Sequence, residues 1–68
     1  MDGTYFFRWF NAEGGLLRFE MCQCADDASA MKRAMGEMLP VGCMSVEVTR
    51  EDHPIWRGPA AELGLALH

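Results

Sequence analysis

The chain predicts an α+β fold: a two-layer ββαββ domain with one amphipathic helix packed on a four-stranded, mostly antiparallel sheet. Three observations carry this. Residues 4–10 (TYFFRWF) and 16–22 (LLRFEMC) alternate with period two around a glycine-bearing turn. Residues 26–39 (DDASAMKRAMGEML) switch to helical period between an acidic start and a Pro40/Gly42 stop. Residues 42–49 (GCMSVEVT) then return to alternation and lead into a short HPIWR segment at 53–57.

In the first strand, alternation places Tyr5, Phe7 and Trp9 on one face and Phe6, Arg8 and Phe10 on the other. Residues 11–15 (NAEGG) are turn chemistry, because glycine adopts positive φ without steric cost. Pairing Phe10 with Leu16 sets Trp9 beside Leu17, Phe7 beside Phe19 and Tyr5 beside Met21. That register gathers the most apolar residues on one face, and it leaves Arg8 and Arg18 opposed on the wet face. The open face then carries Phe6, Arg8, Phe10, Leu16 and Arg18, with Glu20.

In the helix, Asp26 is the expected N-cap and Asp27 an acid in the first turn, where the helix dipole favours negative charge. Ala28, Met31, Met35 and Met38 form the expected buried stripe, with Met44 facing it from the third strand as adaptable core filler. Val46 and Val48 point inward beside Met44. Residues 50–52 turn the chain, and Pro54 suits residues 53–57 to an edge strand. The two hairpins are expected side by side in one sheet. The domain is expected to span residues 1–58, with 59–68 a weakly ordered tail ending in a disordered His68.

Composition restricts function. Sixty-eight residues, half of them hydrophobic, are too apolar for disorder and too few for two domains. A chain this size buries only about 60% of its unfolded surface, which favours self-association. The net charge of −4 has the wrong sign for gripping phosphates by bulk electrostatics, so nucleic acid is disfavoured as a partner. No segment approaches the roughly 20 apolar residues of a membrane span. Asp2 and Arg8 interrupt what a signal peptide would need, so a cytoplasmic location is expected.

Three cysteines, an odd number, argue for free thiols in a reducing compartment. Cys22, Cys24, Cys43 and His53 are the one set from which a metal site could be drawn. They lack the paired C-x2-C spacing of a zinc knuckle, so neither metal nor cofactor is expected. Cys24, just ahead of the helix, is where a helix dipole would favour a thiolate. His53 stands beside Glu51 and Asp52 with only the Thr49 and Ser45 hydroxyls near it in sequence, and reads as a turn residue. Gly14-Gly15 lacks the lysine of a phosphate loop. The chain is therefore read as non-enzymatic.

The Tyr5-Phe6-Phe7 opening strand, the Asp26-led alanine-rich helix and the Val46-Glu47-Val48 strand with its acidic turn resemble a family of small alpha-proteobacterial hairpin-helix-hairpin proteins without established activity. The likeness covers residues 4–57 and implies the fold alone. An aromatic sheet ahead of an acid-capped helix also resembles the partner-binding domain of HicB-type antitoxins. Those carry a further strand before the helix that has no counterpart here.

The expected function is protein interaction: a homodimer or a protein partner docked on the open sheet face or an edge strand. The alternative is a nucleic-acid-binding or antitoxin-like regulatory module on the same Phe/Arg face. A thiol-based redox or metal site is third.

Overall fold

The computed structural model describes residues 2–65. Its elements are β1 (Gly3–Phe10), β2 (Leu16–Cys24), α1 (Asp27–Gly36), β3 (Ser45–Arg50), β4 (His53–Pro59) and a 3-10 helix, Ala60–Leu65. The strands form one sheet in the order β2-β1-β3-β4, every neighbouring pair antiparallel. Each hairpin therefore contributes its first strand to the centre and its second to an edge. Among the described residues no helix is long and apolar enough to cross a membrane.

β1 is central because it can afford burial on one whole side: Gly3, Tyr5, Phe7 and Trp9 are buried, and the residues between them half-buried. Val46 and Val48 extend this face on β3. Helix α1 covers it with Ala30, Met31 and Ala34, Met35 packing at the margin. Two alanines at i and i+4 bring the helix close to the sheet, where the large aromatics already fill the space. The expected stripe is thus rotated: Ala28 is exposed, and Met38 lies beyond the helix in solvent. The helix stops at Gly36 rather than at residue 39. Glycine weakens it there, and Leu39 is disfavoured as helix because Pro40 follows. Met44 is also exposed, since β3 begins one residue later.

Asp26 caps the helix as expected, its Oδ1 accepting the Ser29 N–H at 2.8 Å. That bond holds its carboxyl below the usual carboxylate range. Tyr5 donates its hydroxyl to Asp27 Oδ1 at 2.6 Å, tying β1 to the first helical turn. The bond to that carboxylate, reinforced by burial, pushes the Tyr5 hydroxyl up to about 12. A folded-state value raised above the unfolded one contributes stability that is complete below about pH 10, the ordinary phenol value. It is lost as the pH rises from there through about 12. Tyr5 is the single tyrosine, so tyrosinate absorbance reports it alone. Titration is expected to run late and to coincide with alkaline unfolding; Tyr5→Phe should lack this component. Ionisation at the ordinary phenol value in the folded chain would contradict the bond.

The C-terminal segment is more built than expected. Ala60 and Leu63 of the 3-10 helix belong to the core, packed beside β3 and β4. The ordered domain therefore extends past residue 58, while Leu67 and His68 lie outside the described residues.

Candidate functional site

The first hairpin closes as its turn residues dictate. Asn11 Oδ1 accepts the N–H groups of Glu13 and Gly15, at 3.0 and 2.7 Å. Gly14 takes φ +83°. Phe10 pairs with Leu16 as expected, and then the register slips: Trp9 faces Arg18, Phe7 faces Glu20, Phe6 faces Met21 and Tyr5 faces Cys22. A β-bulge at Leu17 inserts one extra residue, and with period-two alternation one residue exchanges the faces.

The exchange corrects the placement of Arg18. It leaves the open face and lies on the helix side, its guanidinium 5.1 Å from the Trp9 ring centroid. There it pairs with Glu20 at 2.9 Å and Glu37 at 3.3 Å, while Arg33 reaches Glu20 at 3.5 Å. This rim network explains how an edge strand can turn an arginine and a glutamate inward: the long side chains lie along the aromatic face and keep their charged ends at the wet edge of the helix.

The apolar residues of β2 go outward instead. Phe19 and Met21, expected in the core, are 50% and 60% exposed. Phe19 stacks on Phe6 with centroids 5.8 Å apart. Arg8 sits over both rings, 5.6 Å from Phe6 and 5.4 Å from Phe19. From the other side Arg8 donates to Glu47 Oε1 at 3.4 Å and Thr49 Oγ1 at 3.3 Å. Phe6, Arg8, Phe10 and Leu16 thus share the open face as the sequence indicated. Phe19 and Met21 replace Arg18 on it.

A shallow cavity of about 180 Å³ opens beside them, lined by Phe10, Gly14, Ser45, Glu47 and Arg57. It is below the roughly 300–1,000 Å³ typical of small-molecule pockets.

The four metal candidates are not brought together. β2 and β4 are opposite edges of the sheet, three strand spacings or roughly 14 Å apart, so Cys22 and Cys24 stand far from His53. Cys43 points its thiol to the Ser45 carbonyl oxygen at 3.4 Å. Among the described residues no three His, Cys, Asp or Glu side chains form a metal-binding group. Cys22 and Cys24 do meet, Sγ to Sγ at 3.3 Å. Burial, then the bond with Cys24, pushes the Cys22 thiol up to about 11, away from thiolate reactivity.

Comparison of the chain with protein-family models, with curated proteins and with solved structures finds no match.

Proposed function

We propose that the chain is a non-enzymatic cytoplasmic interaction module that pairs with a second copy of itself along the β2 edge. The observation that carries this reading is the self-complementary order of Arg18-Phe19-Glu20 on an exposed edge strand. A nine-residue edge with Leu16, Phe19 and Met21 outward offers unpaired backbone groups next to apolar side chains, which is a template for strand addition.

Antiparallel pairing of β2 with its own copy makes one continuous eight-stranded sheet about a two-fold axis normal to it. Such an axis places identical faces together, so from Arg18 onward, past the bulge, residue numbers in a facing pair sum to an even number. Centring on Arg18 or on Glu20 opposes like charges, which is destabilising. Centring on Met21 sets Phe19 against Gln23 and Glu20 against Cys22. Centring on Phe19 sets Phe19 against Phe19 and Arg18 against Glu20 in both directions. This last register alone matches apolar with apolar and charge with counter-charge, as an isologous contact requires. It also extends the Arg8–Phe6–Phe19 stack across the axis.

Sedimentation or light scattering over a concentration series is expected to show a monomer–dimer equilibrium. Phe19→Lys should weaken it at least about tenfold, the worth of a lost aromatic pair and an added like-charge contact. In a background where all three cysteines are serine, Phe19→Cys should form a disulfide-linked dimer under mild oxidation. Facing positions have Cα atoms within disulfide range, whereas Met21→Cys stands two residues off the axis and should not cross-link. A strict monomer at every concentration, or equal cross-linking at both positions, would refute this pairing. Salt-sensitive binding of a single-stranded oligonucleotide that depends on Arg8 would instead favour the nucleic-acid reading.

A further inference from the structure

The Cys22 and Cys24 thiols are left unused by the pairing of β2 with its copy. They stand two apart on β2, so the pleat turns both thiols to the helix side, where their Sγ atoms lie 3.3 Å apart. Cys24 is buried at the strand-to-helix corner, and Cys22 is half-buried on the helix side of β2. The fold therefore holds two free thiols side by side, with Cys43 elsewhere and bonded to Ser45.

The spacing selects a ligand class. Zinc needs four ligands, and among the described residues no third joins this pair. A digonal soft cation with bonds of about 2.3 Å would hold its sulfurs at opposite ends, roughly 4.6 Å apart. A pyramidal trivalent centre with similar bonds at near right angles brings two sulfurs to roughly 3.3 Å. The separation between Cys22 and Cys24 is of that second kind. We propose that Cys22 and Cys24 form a two-thiol binding site for trivalent arsenic, taken up as an oxide or hydroxide.

The reaction is a condensation. With an organoarsenic(III) oxide, two S–H bonds break and two As–S bonds form. Both protons leave with the oxide oxygen as one water, and arsenic stays trivalent, so no oxidant or reductant is involved. The protons come from the two thiols themselves, whose sulfurs are already in contact. Cys22, the more accessible, bonds first. Closure onto Cys24 is then intramolecular, with little ordering left to do because the partner sulfur is already in contact.

The test uses the whole chain and phenylarsine oxide, read by intact mass spectrometry. One adduct per chain is expected, its mass lower by one water than the sum of the two reactants. It should withstand an excess of monothiol and be stripped by a small dithiol. Cys43→Ser should retain it. Cys22→Ser should lower retention by at least about a hundredfold, the usual scale of a lost second tether. Cys24→Ser should do the same, and if that buried variant fails to fold, Cys22→Ser carries the comparison alone. Because the folded chain pre-positions the sulfurs, the ligand should raise the Tm of the wild-type chain and leave that of Cys22→Ser unchanged. Equal retention by Cys22→Ser, stripping by monothiol, or an unmoved wild-type Tm would overturn the proposal.

Discussion

Leu63→Ala is expected to remove a third or more of the stability of the fold. Leu63 is 4% exposed and closes the core from the 3-10 helix after β4. Truncating a buried leucine costs about 2–5 kcal/mol, since the cavity left behind adds to the lost transfer free energy. At roughly 0.05–0.15 kcal/mol per residue, a chain this short holds only about 3–10 kcal/mol in total. Urea unfolding should therefore show a midpoint reduced by a third or more at unchanged m, or a chain already unfolded in buffer. Met38→Ala is the matched control. That side chain is 84% exposed, and its loss should move stability by no more than about 0.5 kcal/mol. A wild-type midpoint for Leu63→Ala would mean that the segment after Pro59 does not support the core.

What could be read in the sequence was what local chemistry decides. The alternation of β1, the Asn11-to-Gly15 turn, the Asp26 cap and the Val46/Val48 face each follow from a few neighbouring residues, and each recurs in the fold. That is why Phe6, Arg8 and Phe10 could be placed on the open face. The bulge at Leu17 was not legible. No turn residue or glycine marks it, and the apolar pattern of residues 16–22 favours the unbulged pairing despite the opposed Arg8 and Arg18. What offsets the exposure of Phe19 and Met21 is distant in sequence: a tryptophan face and the Glu37 carboxylate for Arg18, Arg33 for Glu20, and the Phe6 ring for Phe19. Met38 and Met44 misled for a simpler reason, since an apolar residue does not have to be buried. Leu63 was hidden by Gly64, which interrupts a helical pattern but not a single 3-10 turn. The pairing of Cys22 and Cys24 lies between these cases. Their two-residue spacing on a strand implies a common face, whereas contact between the sulfurs depends on side-chain rotamers that spacing does not set.

Trp9→Ala is expected to cost about 3–5 kcal/mol, enough to unfold a large share of the molecules. Trp9 is fully buried, meets the Phe7 ring edge-on at 6.0 Å, and faces Val46 across β3. Its indole N–H finds no acceptor among the described residues, and a buried donor left unpaired costs about 1–3 kcal/mol. Trp9→Phe removes that orphan along with part of the ring, so the two changes oppose and the net loss should be well under that of alanine. The comparison also tests why β2 bulges. If the tryptophan face holds the Arg18 guanidinium, exchanging Trp9 for the weaker phenylalanine face should couple to Arg18→Met. A double-mutant cycle should then give an interaction of about 0.5–2 kcal/mol. Coupling near zero would mean that Glu20 and Glu37 alone hold Arg18. The bulge would then be a product of ion pairing at the helix rim, and it should weaken with salt as exposed charge pairs do. Strong coupling that persists in salt would place its origin in the core, with the register of β2, and so the outward turn of Phe19, following from the residue chosen at Trp9.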